Sequence, residues 1–145
     1  MIRRISQEQT LPLRSAVLRN NMPPEECVFP TDSREGIFHL GCFVEEKLVC
    51  IGTFMPEDYK ERGAGGFRLR GMATDPAYAG KGFGAELINF ALNELRSVHA
   101  AYIWCNARTA AVGFYSRLGF EVISEEFEIP GVGPHYDMFS QIAEK

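Results

Sequence analysis

Gly80, Gly82 and Gly84 alternate with Ala79, Lys81 and Phe83, and Leu87, Ile88, Ala91, Leu92 and Leu95 follow at helical spacing. A backbone lacking Cβ atoms at every second residue can curl close around a ligand. A helix N-terminus adds unpaired amides and the positive end of a dipole, so the chemistry this stretch suits is the holding of an anion, phosphate above all. A plain strand-to-helix turn needs only one or two glycines; three with a lysine between them favour the phosphate site. Other groups able to do chemistry are Cys105 in an apolar run, His135 after Pro134, and Arg68 and Arg70 on one face of a strand at 67–74.

Two rival phosphate loops are tested by context. Gly80, Gly82 and Ala85 match GxGxxA, but residues 75–79, with Pro76 among them, separate that loop from its strand, whereas a dinucleotide loop follows its strand directly. The next strand runs into Asn106 where a ribose-binding acid is needed, which leaves a nicotinamide-binding enzyme as a weak alternative. GxxxxGK[ST] does not occur. Cys27, Cys42, Cys50 and Cys105 have no CxxC or Cys/His spacing, so neither a metal site nor a disulfide framework is expected.

A net charge of −4 and a pI near 5.4 count against nucleic acid as a partner, because phosphate neutralisation needs a basic face. The opening MIRRISQEQT has no apolar run behind its arginines, and no stretch approaches the apolar length that spans a bilayer, so a cytoplasmic protein without membrane contact is expected. With 145 residues and no linker or composition shift, 1–145 reads as one domain.

The elements that must position these groups follow in order. A strand at 2–5 precedes a helix capped at Ser6 and running to Leu18 or Arg19, with Pro12 in its first turns. Prolines make 20–36 a long loop, functional or partly helical. Runs at 37–45 and 48–55, divided by Glu46-Lys47, form a hairpin, and 56–66 reads as an exposed connection of low order. After the strand at 67–74 come the glycine loop and its helix, a strand at 100–105, a helix at 109–118 stopped by Gly119, and strands at 120–127 and 136–142 joined by a tight turn. The order β-α-β-β-β-α-β-α-β-β describes a mixed α/β sheet with helices on its faces.

The segment AGKGFG at 79–84, behind a strand and a turn, resembles motif A of the GNAT acetyltransferases, an [RQ]xxGxG/A loop that holds the pyrophosphate of acetyl-CoA. FYSRLGFEVISEEF resembles the family's motif B, and GVGPHYDM resembles the GxPHxxM ending of a bacterial subgroup. The chain departs from the pattern at Ala79, where the family has Arg or Gln, and at Arg108, where an Asn is frequent. The resemblance implies a mostly antiparallel sheet with a central splayed parallel strand pair, acetyl-CoA as acyl donor, and transfer to an amino group of a small molecule or peptide in a ternary complex. A non-catalytic acyl-CoA-binding module is the alternative, and a monomer and a homodimer are both compatible with the sequence.

By the same resemblance, Met72, Ala73, Thr74, the loop Ala79, Gly80, Lys81, Gly82, Phe83, Gly84 and Ala85, and Asn106, Arg108, Ala111 and Phe114 bind the cofactor. The splayed strands are 72–74 and 101–105, and an amide near Met72 polarises the thioester carbonyl. Tyr115 stands at the general acid's place, suited because phenol and thiol pKa values, near 10 and 8.5, are close. His135 is the first candidate for the base, with His39 and Glu57 behind it. Phe29, in the loop that walls the acceptor pocket, Arg70 and Cys105 are assigned to the acceptor. Arg70 is expected to receive a carboxylate or phosphate, and Cys105 to be a buried strand thiol rather than an acyl carrier.

Overall fold

The computed structural model describes residues 1–142. One sheet carries β1 (Ile2–Ile5), β2 (Phe38–Val44), β3 (Lys47–Pro56), β4 (Gly66–Thr74), β5 (Tyr102–Arg108), β8 (Gly133–Gln141) and β6 (Glu121–Val122) in that spatial order, and β7 (Phe127–Ile129) also pairs with β8. Every pairing is antiparallel except β4 with β5. Such a sheet is not the parallel, doubly wound one that the nicotinamide alternative requires. Helix α1 (Gln7–Leu13) packs on β2 and β3, and α2 (Phe83–Ser97) and α3 (Val112–Arg117) complete the helices. Leu87, Ile88, Ala91, Leu92 and Leu95 form the buried stripe of α2 against Leu40, Cys50, Phe54 and Leu69, while Leu13, Ile51 and Ala73 form a smaller core beneath α1.

A bulge in β4 shapes the centre of the sheet. Ile51 lies opposite Ala73 but Thr53 opposite Arg70, so Gly71 and Met72 together face Gly52. Gly71 has φ 63°, and a Cβ there would come within 3.0 Å of the Phe29 ring, so both conformation and space require glycine. The extra residue inverts the strand's alternation: Arg70 points towards Phe29, Met72 turns to the face of α2, and Ala73 returns to the face of α1. Parallel pairing runs from Gly66 opposite Tyr102 to Leu69 opposite Cys105 and ends there. Beyond that point β4 pairs with β3 and β5 with β8, leaving a gap between their facing edges. On β5 the open edge is 106–108 rather than the expected 101–105, because residues 102–105 are engaged in the parallel ladder.

Several boundaries differ from expectation for physical reasons. Ser6 caps α1 through a capping box with Gln9, but Pro12 lies near the end of the α-helix rather than in its first turns, and the chain continues as a π-helical turn at Arg14–Leu18. The β2–β3 turn is Glu45-Glu46, with φ values of 50° and 66°, one residue earlier than expected. The loop at 20–36 contains short 3-10 turns at Pro24–Glu26 and Pro30–Ser33. Residues 56–66 are pinned rather than loosely ordered. The Tyr102 hydroxyl donates to the Gly63 carbonyl and accepts from the Tyr59 amide, Trp104 Nε1 donates to the Glu57 carbonyl, and the Tyr59 hydroxyl donates to Asp137. The strand expected at 120–127, the last but one, is broken into β6 and β7 along one edge of β8, with the Ser124 hydroxyl accepting the Asp137 amide at the break.

The widened turn also carries Arg14 into the interior, where it is 0% exposed. Its guanidinium donates to both oxygens of Asp32 at 2.7 and 3.1 Å, to the Cys27 carbonyl and to the Thr53 hydroxyl, which lies 2.8 Å from His39 Nδ1. Burial raises the Asp32 pKa, but the Arg14 hydrogen bond and the Phe29 amide outweigh it and hold the group below 3.8; burial pushes His39 below 6.5. Both folded-state values lie under the unfolded ones, so the unfolded chain takes up protons first and stability falls as pH drops. The loss begins below 6.5 through His39 and resumes below 3.8 through Asp32. Asp32→Ala, which strands a buried guanidinium, is expected to cost about 3–5 kcal/mol in urea unfolding. His39→Asn is expected to remove the decline between neutrality and about pH 5; a wild-type protein equally stable across that interval would contradict the assignment.

Candidate active site

The glycine loop has a geometry able to cradle an anion. Gly80 and Gly82 have φ 77° and 87°, and nothing lies within 4 Å of where a Cβ would stand on either, so glycine is needed there for conformation alone. Gly82 is the N-cap of α2, and no side chain bonds the free amides of that end. The first helical bond is the Glu86 amide to the Gly82 carbonyl at 3.0 Å, which leaves the amides of residues 83–85 without an intrahelical acceptor. Gly84 serves differently: a Cβ there would lie 3.1 Å from the Phe114 ring and 3.3 Å from Met72 Cε, so its absence lets α3 and the bulge approach the helix start.

From this loop a cleft of about 1200 Å³ runs through the gap between β4 and β5 to the wall formed by Phe29 and Arg19. Tyr115 enters from α3, 7% exposed, its ring packed between Phe114 and Phe120. Burial, with Cys105 and Cys50 nearby, holds its phenol well above the ordinary value of 10. Burial likewise pushes the Cys105 thiol up to about 12, which favours its protonated form on the cleft floor. His135, buried on β8, lies 2.8 Å from the Gly133 carbonyl through Nδ1. A carbonyl can only accept, so Nδ1 carries a proton, which puts the lone pair of the uncharged tautomer on Nε2.

On the face of the sheet towards Phe29 the polar groups fall into two sets. Arg68 donates to Glu57 and to the Asn106 side-chain oxygen, Asn106 donates to Asp137, and Arg34 shares Glu57, so these charges are matched. Arg70 lies beside them with its guanidinium 4.4 Å from the Phe29 ring centroid. Desolvation, together with Arg68, Arg19 and Arg14, holds it below its ordinary 12.5.

This layout, a glycine cradle leading into a gap between two parallel strands, can hold a phosphate-bearing thioester and bring its far end to a second pocket. The chain also matches the family model described as the acetyltransferase (GNAT) domain over residues 31–138. The protein is a GNAT acetyltransferase. Over 142 residues this GNAT chain is 37% identical to the uncharacterized N-acetyltransferase YitI of Bacillus subtilis, covering 97% of this chain and 95% of that one. In fold it is similar to an aminoglycoside 6'-N-acetyltransferase crystallised with coenzyme A, with a TM-score of 0.74 at 14% identity over 100% of this chain and 98% of that one. It is also similar to the ribosomal-protein-S18-alanine N-acetyltransferase of Escherichia coli, with a TM-score of 0.77 at 17% identity over 100% and 95%. Acetyl-CoA is the acyl donor of this GNAT enzyme and an amine its acceptor.

Of the catalytic, cofactor and acceptor candidates singled out in the sequence, all but Lys81, His39 and Glu57 line this cleft; Lys81 is exposed on the loop, His39 is bonded to Thr53, and Glu57 is bridged to Arg34 and Arg68. Ala73 turns its side chain into the core beneath α1, so only its backbone is available. Asn106 is committed to Arg68 and Asp137, and Arg108 is exposed at the rim. The cleft adds Tyr78, Arg117, Arg19 and Met22, which sequence reasoning missed. A tyrosine beside the loop and an arginine just after Tyr115 carried a local signal; Arg19 and Met22 come from a loop whose path depends on its prolines and on Arg14. Among the described residues no helix is long and apolar enough to cross a membrane, and no group of His, Cys, Asp or Glu is placed to hold a metal ion.

Gly82→Ala separates conformation from packing. Backbone strain of about 1–2 kcal/mol is expected, together with at least about tenfold weaker coenzyme A binding by calorimetry, because the residue at a φ of 87° aims the amides. Unchanged affinity would remove the loop from the cofactor site.

Proposed function

We propose that the enzyme acetylates a primary amine by direct attack on acetyl-CoA in a ternary complex. The observation that carries this reading is the end of parallel pairing at Leu69 and Cys105, with the glycine cradle on one side of the gap and Tyr115 and His135 both lining the cleft. Amides of the 80–85 loop hold the pyrophosphate, and the open edge of β4 at 72–74 receives the pantetheine arm. An amide beside Met72 donates to the thioester carbonyl as it becomes an oxyanion.

The amine nitrogen bonds the carbonyl carbon, the C–S bond of the tetrahedral intermediate breaks, and the electron pair leaves on sulfur. His135 Nε2 accepts the surplus proton of the attacking nitrogen, directly or through water. Tyr115 donates a hydrogen bond and then a proton to the departing sulfur. Its raised pKa does not spoil the match, because a thiolate suffers the same desolvation: the Cys105 thiol on the cleft floor is itself pushed to about 12. A covalent acetyl-cysteine route is disfavoured for that reason.

The acceptor is a small amine or the amino group of a peptide. A polycation such as the aminoglycoside named for one structural neighbour would meet Arg19, Arg68 and Arg70 at the acceptor end.

Thiol release with a panel of amines tests the reading. Tyr115→Phe should lower kcat by about a hundredfold or more while the KM for acetyl-CoA stays within a few-fold. His135→Gln should lose rate near neutrality and regain it at high pH, where more of the amine is already neutral. Tight coenzyme A binding with no thiol release from any amine would instead support an acyl-CoA-binding module.

A further inference from the structure

Among the described residues one arginine, Arg14, is buried and three, Arg68, Arg70 and Arg96, are half-buried. Arg14 is paired with Asp32 and Arg68 with Glu57, and Arg96 donates to Asn93 in the last turn of α2, where a cation also suits the helix dipole. Arg70 has neither a carboxylate nor a hydrogen-bond partner among the described residues. Half-burying a guanidinium without a partner has a cost, and here it is placed next to others of its own sign.

The surroundings show where the missing charge belongs. Arg14, Arg70 and Arg19 stand over one ring, Phe29, with guanidinium carbons 3.7, 4.4 and 5.6 Å from its centroid. Asp32 cancels Arg14 and Glu57 is shared by Arg34 and Arg68, but among the described residues no acidic side chain is salt-bridged to Arg70 or Arg19. Both line the cleft, Arg70 on β4 immediately before the bulge that opens the strand pair, and Arg19 at the end of the π turn. A protein with a net charge of −4 thus keeps a concave cationic corner beside its reaction gap. It lies on the face of α1, away from the glycine cradle that serves the cofactor phosphates.

We propose that Arg70, assisted by Arg19 and seated on Phe29, binds an anionic group of the acceptor, so that the preferred substrate is an amine that also carries a carboxylate or phosphate. This rests on the acetyltransferase reading and adds the acceptor's chemical class. The half-buried guanidinium, stacked on Phe29, presents a fork of donors matched to a planar carboxylate or to two phosphate oxygens. Phe29 fixes the plane of that fork, and Asp32 fixes Phe29 by accepting its amide at 2.8 Å. The anion then anchors the substrate with its amine aimed at the gap.

The test uses matched acceptors: ω-amino acids of increasing chain length, the ω-amino alcohols of the same length, and their phosphate monoesters. With acetyl-CoA saturating, kcat/KM for one anionic series is expected to exceed that of the alcohols by about tenfold or more at the best length, and which series wins distinguishes carboxylate from phosphate. Arg70→Met should erase most of that preference by lowering kcat/KM for the anionic series far more than for the alcohols, with coenzyme A binding by calorimetry reporting an intact fold. Arg70→Lys should restore part of it. Equal turnover of charged and neutral acceptors by the wild type, or an equal loss on both in Arg70→Met, overturns the proposal. If no amine at all is acetylated, the acetyltransferase reading fails for these acceptors. The anion site is then judged by titrating the coenzyme A-saturated protein with the N-acetylated ω-amino acids: binding lost in Arg70→Met supports it, and absent binding overturns it.

Discussion

The site depends on a single constraint, the loss of parallel pairing between β4 and β5 after Leu69 and Cys105. Each strand keeps its outer neighbour, so the sheet survives while the two inner edges release their amides and carbonyls. Unpaired backbone groups are normally a liability in an interior. Here they face a cleft, where a ligand with alternating donors and acceptors can take the place of the missing ladder. The bulge at Gly71 and Met72 lies where the strands part and also sorts the side chains, sending Arg70 to Phe29 and Met72 to the face of α2.

The two sides are stabilised by different physics. On the face of α2 the stripe from Leu87 to Leu95 and the aromatic contacts of Tyr115 form a dry wall that removes titratable groups from water. On the face of α1 the framework is polar: Arg14 ties the π turn, the proline-rich loop and β3 together through Asp32, Cys27 and Thr53. A buried ion pair of this kind is poor evidence of stability but strong evidence of a fixed geometry. It holds Phe29, and Phe29 sets the position of Arg70. Loop 56–66, fastened by Tyr102, Trp104 and Tyr59, closes the same face.

Much of the cofactor side was legible in the sequence, because its signals are local. Alternating glycines ahead of a helical stripe read directly as an anion loop, and Gly119 ended α3 where expected. Resemblance then placed Tyr115 and His135, which the fold brings to one cleft. What escaped reading was non-local. The bulge exists through register against β3, so neither the inverted facing of Met72 nor the open segment at 106–108 could be read from one strand alone. The Arg14–Asp32 pair spans a loop whose prolines suggested only irregularity, and Tyr59 looked like part of a charged linker until Asp137 was placed beside it. The GVGPHYDM ending fixed the location of His135 but not its hydrogen bond to Gly133, which decides the tautomer.

The central claim is that the gap between β4 and β5 is the seat of the thioester arm and that the glycine loop grips the diphosphate. A crystal structure of the protein with coenzyme A tests it most directly. The account predicts diphosphate oxygens at roughly 3 Å from loop amides of residues 80–85, pantetheine bonded to the open edge at 72–74, and sulfur beside the Tyr115 hydroxyl. A bound nucleotide elsewhere on the sheet, with the loop and the gap left empty, would contradict it.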